Sequence, residues 1–402
     1  MKRISRRWTP FLGGMVAAIL LVVAVLLALT RTDRGREKIL AITLETLGGQ
    51  LHPNAVLTVG RLEGGLFTGA RMYDITLRDA KGEEMVAADS AYIQYRLPTF
   101  FAGDIVIDDL VLFDAEVLLY RLPGDSLWNY QEVLQDTAPP QPGRVGRATI
   151  LNELRLVNSE LTVRMEWQPD EDLSRAERER EIEEALADTS RLAVEEVEDG
   201  YVRTIVVTTP ETVLEGLTVA PDERGGTYLR VVRSDATVHL YRDNPIQIRD
   251  LQGELSLLRG VVRYQAPVVQ FPGSRLSTEG VLDMSGDEAV YDVRVSGSDI
   301  ALRDLQWLYP RFPEEGRATF SAVIDTRQPE SLFVRMTDLQ FETPGTRLVG
   351  DFSMRMGEEL LFSDVDLRAD PLDVETVQAM LPTSLPVRGL AIGAVEVRSS
   401  AS

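Results

Sequence analysis

The chain has 402 residues, of which 44% are hydrophobic and 26% charged, a composition typical of folded proteins and not of disordered or collagen-like chains. At about 150 residues per domain, this length predicts two or three domains or one elongated body. The chain carries 42 Lys and Arg against 63 Asp and Glu, a net charge of -21. Because so acidic a surface repels phosphate backbones, nucleic acid is excluded as a partner.

The absence of cysteine excludes disulfides, thiolate nucleophiles and cysteine-ligated metal sites. The chain contains only two histidines, His52 and His239, which excludes a metal centre with three histidine ligands. Both have a simple structural interpretation, because His52 precedes Pro53 and His239 lies in an apolar strand-like segment. We therefore expect a protein that is not an enzyme and that holds no metal and no cofactor.

An uncharged apolar run extends over 19 residues, from Phe11 to Leu29. A helix of this length crosses a hydrocarbon core of roughly 30 Å. A cleaved signal peptide has a shorter apolar stretch and ends in an A-x-A-like site, which residues 28–30 fit poorly. The run therefore predicts a retained transmembrane anchor at residues 11–30, after a cytoplasmic tail at residues 1–10.

The orientation of this anchor follows from the acidity of the rest of the chain. Four basic residues lie on each side of the apolar run, so the positive-inside rule does not decide. Beyond residue 38 there are 34 basic and 61 acidic residues. This acidity favours a location of the body of the protein on the side of the membrane away from the cytoplasm. Apolar residues at helical spacing before Gly48 predict a juxtamembrane amphipathic helix at residues 31–50.

From Ala55 onward, short segments of alternating apolar residues are separated by Gly, Asp, Asn and Pro, the pattern of β-strands joined by turns. Residues 291–295 (YDVRV) and 319–324 (TFSAVI) are examples. This pattern predicts an all-β body with short helices.

Two internal repeats predict stacked modules and an elongated body. In the first, residues 103–119 are echoed by residues 146–163 at an offset of 43 that becomes 44 after one insertion. In the second, residues 272–276 and 344–348 are 72 apart, and the same offset aligns residues 305–310 (LQWLYP) with 377–382 (VQAMLP). Each of the latter two segments is predicted to be a short helical turn closed by proline.

Residues 166–200 interrupt the strand pattern with 14 acidic and 4 basic residues. Opposite charges at i,i+4 spacing, such as Glu171 with Arg175, predict an inserted acidic helix. Two interpretations remain open: a solvated insertion without function, and a segment that binds a partner or covers a rim.

Four aspartates form the densest carboxylate cluster: Asp104, Asp108, Asp109 and Asp114. They lie at turn or solvent-face positions between apolar residues, where aspartate caps and solubilises. No histidine is near in the sequence and no calcium-loop spacing is present. We expect these residues to be structural and not catalytic.

Four sequence segments after the apolar run resemble those of a known protein family in type and in order. They are residues 59–66 (VGRLEGGL), 103–112 (GDIVIDDLVL), 120–129 (YRLPGDSLWN) and 150–163 (ILNELRLVNSELTV). Together with the anchor, they resemble the AsmA-like superfamily of Gram-negative envelope proteins, and within it the N-terminal part of TamB-like translocation and assembly proteins. The resemblance covers most of the chain outside residues 166–200.

The resemblance implies an inner-membrane protein with a periplasmic body, an antiparallel β-sheet groove of the kind called a β-taco. Its apolar groove would conduct membrane phospholipid from the inner toward the outer membrane, supporting outer-membrane biogenesis. The resemblance further implies an outer-membrane barrel protein as a partner. The alternative function is an assembly factor or holdase for outer-membrane proteins that acts by strand addition.

The chain beyond the juxtamembrane helix divides into three parts under this interpretation. An N-terminal AsmA-like β module occupies residues 51–165, the acidic helical insertion residues 166–200, and repetitive β-groove modules residues 201–402. Long members of the family run far past 402 residues. Two alternatives stay open: a fragment of a longer protein or a short relative.

We place the lipid groove on alternate apolar residues of the first repeat and their partners. These are Ile105, Ile107, Leu110, Leu112, Val117, Leu119, Ile150, Leu154, Leu156 and Val163. In a closed core an introduced charge would be buried and would unfold the protein, whereas at an open groove a long charged side chain reaches solvent. We expect Leu112→Arg or Leu156→Arg to yield folded protein that no longer binds or passes acyl chains, as for an open groove.

Overall fold

The computed structural model describes residues 52–65, 69–95, 105–133, 149–169, 173–187, 194–219, 225–239, 245–285, 290–328, 331–356, 360–380 and 389–397. The predicted tail, transmembrane anchor and juxtamembrane helix, residues 1–50, lie outside these ranges. Among the helices that the structure describes, none has the length and apolar character needed to cross a membrane. The prediction of a mainly β fold is confirmed.

Seventeen strands of the described residues belong to one sheet. They are β1 (Val56–Gly65), β2 (Gly69–Arg78), β3 (Glu84–Tyr95), β4 (Ile105–Arg121), β5 (Thr149–Trp167), β6 (Val194–Val197), β7 (Gly200–Val219), β8 (Thr227–His239), β9 (Ile246–Leu258), β10 (Val261–Gln270), β11 (Arg275–Asp283), β12 (Val290–Ala301), β13 (Arg317–Gln328), β14 (Ser331–Thr343), β15 (Thr346–Met356), β16 (Leu360–Asp373) and β17 (Leu390–Val397). Strands β4 and β5 run parallel, whereas hairpins such as β2–β3 and β14–β15 are antiparallel.

The helices among the described residues are short and lie between strands. They are α1 (Asn129–Val133), α2 (Arg175–Ala187) and α3 (Val374–Met380), with a 3₁₀ turn at Leu302–Leu305. Helix α2 lies within the predicted acidic insertion and begins with a capping box. Glu177 donates its backbone N–H to the Ser174 hydroxyl (3.4 Å), and its carboxylate accepts the Ser174 N–H (2.9 Å). Strand β6 follows and pairs with β7.

The described strands fall into two compact units. The first contains β1–β8 and the second β10–β17, while β9 is divided between them after residue 255. The burial pattern of the strands in the second unit shows why these segments form a sheet with two different faces. In β12, Tyr291, Val293 and Val295 are half-buried, whereas Asp292 and Arg294 are exposed. Since successive strand residues face opposite sides, this alternation gives one apolar and one polar face.

The 72-residue repeat is visible as two equivalent turns in the second unit. Leu302 donates its N–H to the Gly316 carbonyl (3.1 Å), and Val374, 72 residues on, donates to the Gly389 carbonyl (3.0 Å). Strand β13 follows the first turn and β17 follows the second. Strand β17 is therefore the structural counterpart of β13.

Candidate functional site

The two copies of the first sequence repeat form neighbouring strands. Strands β4 and β5 pair in parallel with an offset of 44 residues. Leu110 lies opposite Leu154 in this ladder. Leu112 lies opposite Leu156. The sequence repeat therefore places equivalent apolar residues side by side on one face of the sheet.

Most of the residues that the sequence places in a groove are buried in the structure. Six of them have at most 3% of their surface exposed: Ile107, Leu110, Leu112, Leu119, Leu154 and Val163. Three are half-buried: Val117, Ile150 and Leu156. The side chain of Ile105 lies outside the described part of the chain. The six buried side chains belong to the hydrophobic core of the first unit.

Ile150 lies on a different face from the one that the repeat predicts. The sequence pattern pairs it with Ile107, but in the structure Ile107 lies opposite Leu151, and Ile150 lies opposite Val106. Leu151 is fully buried, whereas Ile150 is half-buried. Because neighbouring strand residues face opposite sides, a shift of one residue moves Ile150 away from the core.

The closed apolar face extends over most strands of the first unit. One row contains directly opposed residues of five strands: Ala70, Ile93, Leu110, Leu154 and Leu214. Each is at most 7% exposed. The residues of this row are therefore part of the buried core of the first unit.

One face of the second unit is partly exposed to solvent, and we call it the apolar track. Its first row crosses seven strands through directly opposed residues: Tyr264, Gly280, Val293, Ile324, Val334, Met354 and Phe362. Its second row crosses six: Ala266, Thr278, Val295, Ala322, Met336 and Phe352. Most of these side chains are half-buried, and Phe362 is 56% exposed. The track is thus an apolar surface that solvent still reaches.

A β-bulge on every second strand keeps the apolar residues of the track on one face of the sheet. The backbones at Asp299, Asp338 and Asp364 have positive φ angles of 60°, 55° and 50°. Each lies where the pairing register shifts, on β12, β14 and β16. A bulge inserts one residue and lets the next apolar residue return to the same face. Aspartate tolerates this left-handed conformation better than most residues.

The opposite face of these strands is polar. Arg335 lies opposite Val323, and Val323 lies opposite Arg294. A depression on this face is lined by three serines, Ser277, Ser296 and Ser321, and also by apolar residues such as Val323.

The aspartate cluster makes local hydrogen bonds within the β4–β5 ladder. Asp108 accepts a hydrogen bond from the Asn152 amide (2.8 Å), and Asp114 accepts one from the Asn158 amide. Burial and, secondarily, the nearby Glu153 raise the pKa of Asp109. Asp104 lies outside the described residues. Within the part of the chain that the structure describes, no group of three or more His, Asp or Glu residues is placed to hold a metal ion.

The two histidines occupy different parts of the first unit. His52 accepts a hydrogen bond at Nδ1 from the backbone N–H of Asn54 (3.3 Å) in the turn before β1. His239 ends β8 opposite Val206. The structure does not bring the two histidines and the aspartate cluster into a shared metal-binding group.

A buried polar group that the sequence analysis did not single out supports the end of β4. Asp79 is fully buried, and its Oδ2 accepts a hydrogen bond from the Tyr120 hydroxyl (2.6 Å). Its Oδ1 accepts the backbone N–H groups of Lys81 (2.9 Å) and Glu83 (3.0 Å). Burial, followed by the bond to Asp79, raises the pKa of Tyr120. The turn after β2 is thereby joined to β4.

The Trp-Asn element that contributed to the family resemblance is also structural. The Asn129 side-chain oxygen accepts the N–H groups of Tyr120 and Tyr130, both at 3.0 Å. Its amide donates to the Leu118 carbonyl (2.9 Å), and Trp128 is 2% exposed. These hydrogen bonds and the buried Trp128 hold helix α1 against β4.

Comparisons with protein-family models, with curated proteins and with solved structures found no match to this chain.

Proposed function

We propose that this protein is an inner-membrane-anchored, periplasmic protein that conducts phospholipid toward the outer membrane along the apolar track, within an elongated β-groove. The observation that supports the proposal most directly is that most side chains of the track are half-buried, so that solvent still reaches this apolar surface. The apolar run at residues 11–29 supports the membrane anchor, and the resemblance of residues 59–163 to AsmA-like proteins supports a role in lipid transport between membranes.

The dimensions of the track suit an acyl chain. Seven strands at a spacing of about 4.8 Å give a row about 29 Å long. That is comparable to a hydrocarbon core of roughly 30 Å, which holds two acyl chains end to end. Each methylene that leaves water contributes about 0.8 kcal/mol, so partial burial along the row is sufficient to hold a chain.

Movement along the track requires no catalytic residue. The contacts offered by Val293, Ile324 and Met354 are non-directional, so an acyl chain gains nearly the same free energy at successive positions. The polar face, with Arg294 and Arg335, offers no comparable surface. A lipid would therefore follow one face of the sheet only.

Photo-crosslinking from adjacent residues on opposite faces tests this proposal. A photoreactive amino acid at Ile324 should yield phospholipid adducts in cells, detectable by mass spectrometry. The same amino acid at Val323, on the polar face of the same strand, is the matched control and should yield none. Equal labelling at both positions, or no lipid at Ile324, would contradict the proposal. Adducts with polypeptide in place of lipid would favour the alternative of an assembly factor.

A further inference from the structure

The depression on the polar face of the second unit has the size of a small-molecule site, and we call it the polar depression. Its floor consists of three short side chains, directly opposed on β11, β12 and β13: Ser277, Ser296 and Ser321. The halves on the two sides of these serines enclose about 380 and 390 Å³. Sites for small ligands begin at about 300 Å³, so each half is large enough for one.

The depression offers several hydrogen-bonding groups to a ligand. The Ser277 and Ser296 hydroxyls are hydrogen-bonded to each other (2.9 Å). A hydroxyl donates one bond and accepts two, so this pair retains further capacity. Arg275 lines the same depression, is exposed, and forms no ion pair with any residue that the structure describes. Its guanidinium is therefore available to donate to a ligand.

The 72-residue repeat shows that the fold does not require serine at the floor. Ser277 lies opposite Ser296 in the β11–β12 ladder. Their counterparts 72 residues on, Val349 and Arg368, lie opposite each other in the β15–β16 ladder, in the same register. Since β-branched residues such as valine are favoured in strands, serine brings no advantage to the sheet itself. The short side chains of the first copy are explained by the space that they leave for a ligand.

The charges that line the depression indicate the class of ligand. Two arginines and two carboxylates are present: Arg275, Arg294, Glu279 and Asp338. They cancel in sum, and Arg294 lies 3.6 Å from Glu279 as an ion pair. A site for phosphate or another anion would carry an excess of positive charge. Hydroxyls of a neutral ligand can instead donate to the carboxylates and accept from the guanidinium groups, while its C–H groups contact Pro267.

We propose that the polar depression binds a neutral saccharide, as part of a glycan chain. A sugar ring carries hydroxyls that both donate and accept, which matches the mixed lining of serines, arginines and carboxylates. This site lies on the face opposite to the apolar track, so it is a second binding surface that does not depend on lipid movement. A variant that blocks it should retain lipid adducts at Ile324.

Filling the floor with the residues of the second copy tests the proposal. The double variant Ser277→Val with Ser296→Arg places at the floor the pair that the sheet already accommodates at Val349 and Arg368. The full-length protein, in a detergent without a sugar headgroup, is titrated with maltotetraose and with chitotetraose by isothermal calorimetry. The unmodified chain should bind at least one of them, and the double variant should bind it at least about tenfold more weakly.

Two further single variants complete the test. Arg368→Ser is the matched control, because it changes the equivalent position of the second copy and should bind as the unmodified chain does. Arg275→Gln removes an exposed guanidinium without altering the packing, and should weaken binding about fivefold. Absence of binding by both tetrasaccharides, undiminished binding in the double variant and in Arg275→Gln, or equal loss in Arg368→Ser would overturn the proposal. Binding of inorganic phosphate at this site in place of the saccharides would also overturn it.

Discussion

Ser274 and Thr346 occupy the same structural position in two modules that are 72 residues apart. The Ser274 hydroxyl accepts the backbone N–H of Ala301 (2.8 Å), and the Thr346 hydroxyl accepts the backbone N–H of Asp373 (2.9 Å). Both hydroxyls are buried, at 7% and 3% exposure. Each hydrogen bond joins the turn before a hairpin to the end of that hairpin. This shared contact explains why the repeat retains a hydroxyl at this position.

Removing this hydroxyl should destabilise the second unit. In Ser274→Ala the buried N–H of Ala301 loses its acceptor, and Asp304 loses a hydrogen bond from the hydroxyl (2.5 Å). A buried donor without a partner costs about 1–3 kcal/mol. Urea unfolding followed by circular dichroism should show a lower midpoint. Ser298→Ala, at an exposed position of β12, is the control and should change the free energy of unfolding by less than about 0.5 kcal/mol. Equal effects of the two substitutions would contradict a role for the buried bond.

The hydrogen bond between Tyr120 and Asp79 should contribute to the stability of the first unit. In Tyr120→Phe, the buried carboxylate keeps its bonds to the backbone of Lys81 and Glu83 but loses the hydroxyl. Hydrogen bonds to charged groups contribute about 1.5–3 kcal/mol, and we expect a loss of that size in denaturant unfolding. Tyr92→Phe removes an exposed hydroxyl on β3 and serves as the matched control. A Tyr120→Phe protein as stable as Tyr92→Phe would show that the buried bond is energetically neutral.

Stability should depend on pH through Asp109. Its pKa is raised above the ordinary 3.8, first by burial and then by Glu153, although Arg155 acts in the opposite direction. For a carboxyl whose folded-state pKa is above the unfolded value, the contribution to stability is complete below the unfolded pKa and is lost as the pH rises through the folded pKa. Asp109→Asn should therefore be more stable than the unmodified protein at pH 7, by a few tenths of a kcal/mol at most because solvent screens this group.

The difference should shrink as the pH falls below the ordinary pKa of 3.8, because the carboxyl is then protonated in both the folded and the unfolded state. Unfolding midpoints at pH 7 and well below pH 3.8 measure this directly, with Asp89→Asn on the neighbouring strand as a control for simple charge removal. An Asp109→Asn protein that is less stable than the unmodified chain at pH 7 would show that the carboxylate is favourable in the fold.

Much of the fold could be predicted from the sequence, because its signals are local. Alternation in segments such as residues 319–324 gives strands, and the 72-residue offset gives the equivalent turns at Leu302 and Val374. Register could not be predicted with the same accuracy. The repeat aligned Ile150 with Ile107, but the parallel ladder pairs Ile107 with Leu151, and a shift of one residue changes the face.

The openness of an apolar face could not be predicted, because alternation is the same whether the face is covered or exposed. Leu110 and Ile324 both lie in alternating strands, yet Leu110 is fully buried and Ile324 is half-buried. The bulges at Asp299 and Asp338 could not be predicted either, because in the sequence an aspartate between apolar residues resembles an ordinary solvent-facing residue. Burial depends on what packs over a sheet, and that is not a local property of the strand.

Arginine substitutions at three positions should distinguish closed core from open track. Leu112 is 3% exposed, so Leu112→Arg would bury a charge without a partner, which costs several kcal/mol. We expect this variant to unfold, in contrast to the expectation for an open groove. Leu156 and Ile324 are half-buried, so an arginine there can extend its charged end into solvent. Leu156→Arg and Ile324→Arg should stay folded by circular dichroism and limited proteolysis.

Only Ile324→Arg should also interrupt the apolar track. Lipid crosslinking from a photoreactive amino acid at Val293, directly opposite Ile324, should fall in that variant because the charged side chain disrupts the apolar row. The same crosslinking should persist in Leu156→Arg, where the substitution lies on β5 of the first unit. A folded Leu112→Arg protein would show that the β4 face is open after all. Undiminished crosslinking in a folded Ile324→Arg protein would mean that lipid does not follow this row of the sheet.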